Sequence, residues 1–249
     1  MKAMFLDLSV CIGCRACQVA CREWNDLSAT ATRQTGSYQN PAGLSGDTWK
    51  MVKFIELPGR PEDPQGGPVW LFYSDSCKHC LEAPCLTACP TGAIYRNSEG
   101  MVLVSETVCN GNQHCVPACP FGVIGIHRER RVAQKCTFCV DRVGAGLEPA
   151  CASVCPTDCI RFGEREELAG RARGRLEELR SRGKEKTRLY GLDEMGGLNV
   201  FYLLLDEPEA YGLPRDPLPP VRRLAPALLA TAAAAAVFFA FSVFTLAGG

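Results

Sequence analysis

The period of apolar and polar positions changes several times along the chain, and each change marks an element. MVKFIEL (51–57) alternates and VWLFY (69–73) is a short apolar run, so both predict strands. Before them, GSYQNPAGLSG (36–46) is dense in turn formers and reads as loop. TGAIYRNSEGMVLVSETV (91–108) has apolar pieces broken at Asn97, Ser98, Glu99 and Gly100, which predicts a short hairpin. In EREELAGRARGRLEELRSRGKEK (164–186), Leu168, Ala172, Leu176 and Leu179 form one helical stripe amid mixed charge, the pattern of a solvated surface helix. NVFYLLL (199–205) predicts a further strand, and YGLPRDPLPP (211–220) a proline-stiffened tether. Leu224 to Ala247 carries no charge, and at a rise of about 1.5 Å per residue its length exceeds a hydrocarbon core of about 30 Å. It predicts a single membrane-spanning helix, with a buried alanine-rich core helix as the alternative.

Between these elements the cysteines fall into four runs. They are Cys11, Cys14, Cys17 and Cys21; then Cys77, Cys80, Cys85 and Cys89; then CNGNQHCVPACP (109–120); then Cys136, Cys139, Cys151 and Cys155, with Cys159 left over. Sixteen cysteines in 249 residues point to disulfides, zinc or iron–sulfur clusters. Repeated C-x2-C pairs make poor cross-links, and no cleavable export signal precedes the first run. Zinc needs two close pairs and no third cysteine at the next step, which the first run supplies. Three thiolates on one tight loop suit the irons of a cubane, and the following Cys-Pro belongs to the bacterial ferredoxin pattern. Pro90, Pro120 and Pro156 stop the chain from continuing there as regular helix.

In that pattern the fourth cysteine of a run serves the other cluster of a pair. The second and third runs are neighbours across the hairpin, leaving the first to pair with the fourth. Cys11, Cys14, Cys17 and Cys155 then hold one cluster, and Cys136, Cys139, Cys151 and Cys21 its partner. Cys77, Cys80, Cys85 and Cys119 hold a third, while Cys109, Cys115 and Cys89 hold a fourth with Asn112 where a thiolate is expected. Three thiolates suit a [3Fe–4S] centre, whose missing corner needs no ligand. A [4Fe–4S] cluster with Asn112 oxygen or water on its odd iron is the alternative, and an empty site the third. The expected cofactors are three [4Fe–4S] clusters plus one [3Fe–4S] or atypical [4Fe–4S] cluster. Cys159 reads as a buried free thiol, and His79 and His114 as groups outside the ligand set. Lys78, Lys135 and Arg142 lie near the runs and are candidates for offsetting cluster charge.

Charge narrows the partners. With 27 basic and 27 acidic side chains the net charge is zero, which argues against nucleic acid. No dinucleotide fingerprint, P-loop or nucleophile elbow occurs in the sequence, and no carboxylate or histidine constellation stands out. The cysteines are committed as ligands, so the chain reads as an electron relay without catalysis of its own.

SVCIGCRACQVACREWND, YQNPAGLSGDTW, KCTFCVDRVGAGLEPACASVCPT and YGLPRDP resemble the iron–sulfur β subunits of membrane-bound respiratory formate dehydrogenases, within the wider four-cluster partners of molybdopterin oxidoreductases. The resemblance runs from about residue 5 to the span. It implies a subunit between a molybdenum or tungsten molybdopterin catalytic subunit that oxidises formate and a membrane cytochrome b that reduces quinone. Asn112 departs from that branch and matches nitrate reductase relatives, which lack the same cysteine and hold a [3Fe–4S] centre. The resemblance places the cluster domain on the periplasmic or outer face, whereas Arg215, Arg222 and Arg223 before the span favour the cytoplasm by the positive-inside rule. The rival functions are the same wiring role in a polysulfide, thiosulfate or nitrate-type reductase, a zinc-stabilised membrane-tethered interaction module, and a self-sufficient redox enzyme.

The expected fold is α+β: two ferredoxin-like two-cluster units with insertions, then one C-terminal transmembrane helix. Its parts are a four-run domain over 1–163, with an insertion at 22–73 and an inner unit at 74–125, a surface helix and strand over 164–212, a tether over 213–223 and the anchor over 224–247.

Overall fold

A computed structural model describes residues 1–33, 36–59, 67–218, 229, 231–232 and 234–235. Each cysteine run is entered from a strand and left through a short helix. β1 (Lys2–Asp7) leads into the first run and α1 (Ala16–Trp24) carries its end. β2 (Lys50–Leu57) and β3 (Val69–Ser76) form an antiparallel hairpin, Lys50 opposite Ser76 and Leu57 opposite Val69, that delivers the second run. α2 (Pro84–Thr87) ends before Cys89, and β4 (Ile94–Arg96) and β5 (Val102–Val104) make the expected hairpin into the third run. α3 (Cys115–Ala118) is followed by the two-residue strands β6 (Gly125–Ile126) and β7 (Ala133–Gln134), and the fourth run by α4 (Val140–Gly144) and α5 (Ala150–Ser153).

After the last run come β8 (Ile160–Glu164), α6 (Arg165–Ser181), β9 (Arg188–Tyr190) and β10 (Val200–Leu204). These three strands and β1 form one sheet in the order β8-β1-β10-β9. β1 runs parallel to β10, Met4 beside Val200, and antiparallel to β8. Side chains alternate across a strand, so the two faces of this sheet have different tasks. Ala3, Phe5, Phe201 and Leu203 meet Leu168, Ala169, Ala172 and Leu179 of α6, with Phe5 and Phe201 stacked at 5.5 Å. Met4, Leu6, Val200, Tyr202 and Leu204 face the core that holds most of the cysteines.

One expectation changes here, and one strand appears that the sequence pattern does not announce. α6 is not a merely solvated helix: its predicted stripe packs on the sheet, and only the charged remainder faces water. β1 was not read as a strand, because covered on both faces it shows no alternation over six residues. The segment 164–212 shares this sheet with β1, and Met1–Pro217 is one compact unit, with Leu218–Gly249 a second. Apart from Leu229, Thr231, Ala232, Ala234 and Ala235, the span expected over 224–247 lies outside the described residues. Among the described residues no helix is long and apolar enough to cross a membrane.

Candidate metal centres

All four runs share one backbone device. The third residue of each opening tetrapeptide is left-handed: Gly13 in Cys11–Cys14 (φ 66°), His79 in Cys77–Cys80 (φ 48°), Gly111 in Cys109–Asn112 (φ 74°) and Phe138 in Cys136–Cys139 (φ 62°). Histidine and phenylalanine adopt this region at a cost, so its recurrence marks a constraint of the site. The turn aims backbone N–H groups at the first thiol. His79 N–H lies 3.5 Å from Cys77 Sγ, and Phe138 N–H 3.4 Å from Cys136 Sγ. In the third run the loop is the same, and Asn112 occupies the position that a cysteine takes in the other three.

The thiols gather into four groups. Cys77, Cys80, Cys85 and Cys119 line one nearly apolar pocket. Cys89, Cys109 and Cys115 line another, together with the exposed Asn112 and His114. Cys21, Cys136, Cys139 and Cys151 lie within electrostatic reach of one another, as do Cys11, Cys17 and Cys155. Cys14, on the same loop as Cys11, is exposed. Cys159 is buried against Cys11 and Cys155, far along the chain from Asn112. Comparing CPTGAI (89–94) with CPTDCI (155–160) would have signalled this position, where Ala93 is replaced by Cys159.

None of the sixteen cysteines forms a disulfide. Burial pushes Cys85 and Cys136 up to about 12 and Cys151 to about 11. Such groups are inert thiols unless a cationic centre draws off their protons. At the far end, the Cys159 thiol acting as donor holds Cys155 down to about 5 and Cys11 to about 7. Among the described residues no three His, Cys, Asp or Glu side chains converge on a single-ion site. Soft thiolates around a pocket, with N–H donors to sulfur such as Ala133 N to Cys109 Sγ at 3.3 Å, are the donor set that iron–sulfur clusters take.

The groups also follow one another. Cys17 acts electrostatically on Cys151, Cys77 on Cys136, and Cys115 on Cys85, so each group neighbours the next. At the middle junction the loop residues His79 and Phe138 pack edge to face at 4.8 Å. His79 is fully buried, its Nδ1 accepts from Val102 N–H at 3.0 Å, and burial, then Lys135 and Arg96, keep it well below the usual histidine range. His127 stands apart, 3.7 Å from Asp47. Lys78 is buried and pairs with Asp75. Lys135 donates to the Val102 and Cys136 carbonyls, and Arg142 stacks on Trp24 at 4.3 Å.

Comparison with known proteins agrees with this donor set. Residues 10–93 and 68–165 each match a family model described as a 4Fe-4S dicluster domain. That defines the class: a mixed α/β protein with dicluster ferredoxin-type domains. The nitrate-inducible formate dehydrogenase iron–sulfur subunit of Escherichia coli K12 is 42% identical over 219 residues, covering 86% of this chain and 73% of the relative. Formate dehydrogenase 2 subunit beta (cytochrome c-553) of Nitratidesulfovibrio vulgaris Hildenborough is 35% identical over 84% of this chain and 96% of its own. The thiosulfate reductase electron transfer subunit of Salmonella typhi is 39% identical over 66% of this chain and 76% of its own. The chain belongs to the family of formate dehydrogenase iron–sulfur subunits.

Proposed function

We propose that this chain relays electrons from a molybdopterin catalytic subunit that oxidises formate to a membrane cytochrome b or other quinone-reactive subunit. The observation that carries the reading is the succession of four thiol groups, from the exposed Cys14 at one end to the half-buried Cys89 and Cys109 at the other. When bound, iron–sulfur clusters supply one-electron carriers at these four places. Cys11, Cys14, Cys17 and Cys155 would hold the first, Cys21, Cys136, Cys139 and Cys151 the second, and Cys77, Cys80, Cys85 and Cys119 the third. Cys89, Cys109 and Cys115, with Asn112 in the fourth cysteine's place, would hold a [3Fe–4S] cluster, supported by the loop that Asn112 shares with the cysteine-bearing runs. The apolar stretch 224–247 anchors the chain in the membrane, and the cluster domain lies on the outer face, as the resemblance to respiratory formate dehydrogenases supports.

The protein's own residues hold, space and screen the carriers: buried thiols bind them, the left-handed loops donate N–H groups to sulfur, and the packed core excludes water. The complex, isolated from membranes without oxygen, should lose its broad visible absorbance within the dead time of mixing when formate is added. Bleaching by dithionite but not by formate would overturn the choice of catalytic partner. The thiosulfate reductase relative supports a second reading, the same relay feeding a sulfur-oxyanion reductase, which formate would leave unbleached and thiosulfate would reoxidise.

A further inference from the structure

Three lysines are buried around the thiol groups, at 2% exposure or less; one is paired with a carboxylate and a second is held by two carbonyls. Lys78 pairs with Asp75 and donates to the Ser76 carbonyl at 2.7 Å. Lys135 donates to the carbonyls of Val102 and Cys136. Lys50 has one long hydrogen bond, 3.5 Å to Ser76 Oγ, and among the described residues no carboxylate pairs with it. An ammonium taken out of water costs several kcal/mol unless an anion answers it. One hydroxyl at that distance does not.

Its position names the missing anion. Lys50 opens β2 opposite Ser76, the residue before Cys77. Ser74, on the same face of β3, touches Cys17 Sγ at 3.4 Å. The preceding Trp49 packs among Cys21, Cys77 and Cys136. Lys50 therefore stands at the seam between the first and second thiol groups. Its charge acts to lower Cys11 and Cys17 on one side and Cys21, Cys136, Cys139 and Cys151 on the other, whereas Lys135 does so for Cys85.

We propose that the Lys50 ammonium is the shared counter-cation of the first and second centres, positioned between them so that one fixed charge raises the reduction potentials of both. The proposal rests on the reading that clusters fill these two sites. Lys50 is a positioning residue: it binds no substrate and its part is electrostatic.

The test is an anaerobic potentiometric titration with dithionite and mediators, followed by EPR, on the intact complex carrying K50M or K50R. In K50M the reduction equilibrium of two [4Fe–4S] signals should fall at least tenfold, about 59 mV for a one-electron couple, with the other two centres unmoved. K50R should keep all four near their original values. Unchanged potentials in a fully loaded K50M overturn the proposal, as do a uniform shift of every centre or a shift confined to the third and fourth centres. If K50M does not load its clusters, K50Q repeats the test. Failure of both neutral variants beside full loading of K50R supports the charge's role, and equal loading and potentials in K50Q and K50R overturn it. Absence of iron signals from the unmutated complex would instead overturn the reading beneath.

Discussion

Replacing Lys78 by Met separates a structural charge from one that serves a cluster. Its ammonium is fully buried between Asp75 and the Ser76 carbonyl, 5.1 Å from the centre of the Tyr73 ring and 5.2 Å from that of Tyr202. Deleting one partner of a buried pair costs about 3–5 kcal/mol, because the other charge is left uncompensated. Here Asp75 keeps Lys53 at 2.9 Å, but that lysine is 26% exposed and answers only part of the carboxylate. The lower end, about 3 kcal/mol, follows, roughly a hundredfold in rate if the loss falls on the unfolding barrier. Cluster proteins lose their metal irreversibly on unfolding, so the assay is the half-life of the visible absorbance of the anaerobic complex at a fixed elevated temperature. K78M should shorten it about a hundredfold, and K78M/D75N should recover most of the loss, since no carboxylate is then left without its main partner. A double variant as short-lived as K78M refutes this pairing and assigns the Lys78 charge to the neighbouring cluster instead.

Asn112→Cys should complete the third run's ligand set. The three-iron EPR signal of the oxidised complex should disappear and a fourth [4Fe–4S] signal should grow in on reduction, and persistence of the three-iron signal would count against Asn112 at the open corner. Leu168→Ala should cost about 3 kcal/mol, because Leu168 is only 3% exposed between α6 and the sheet. The half-buried Leu176 should cost less, and both variants should leave every midpoint potential in place, as thermal half-life and redox titration together will report.

The strands that alternate or stand between clear turns were legible: β2, β3 and the β4–β5 hairpin each carry their own local pattern. β1 was not, since its partners β8 and β10 are distant in the chain and its two faces are both buried, so KAMFLD shows neither period. The stripe of α6 was visible while the surface it meets was not, because that surface is made by Phe5 and Phe201. At the site, spacing shows which residues are chemical, and Asn112 announces itself by interrupting a spacing. Lys50 and His79 carry no such mark. A lysine at the start of an alternating strand looks like a solvent-facing position, and only the packing of the first run against β3 buries it. His79 looked like a loop residue because nothing local reveals that Phe138, in another run, closes over it.

The sheet order has a bearing on biosynthesis. Cys77, Cys80, Cys85 and Cys119 all emerge within one short stretch of chain, so that pocket can close while the rest is still being made. The group containing Cys11 and Cys17 waits for Cys155, and β1 waits longer still for β10 at residues 200–204. The thiol sets are thus completed in a fixed order along the chain, those of the third and fourth groups by Cys119 and those of the first and second only at Cys151 and Cys155. A nascent or truncated chain ending before residue 150 would carry the first cysteine run without the Cys151 and Cys155 thiols that belong with its two groups.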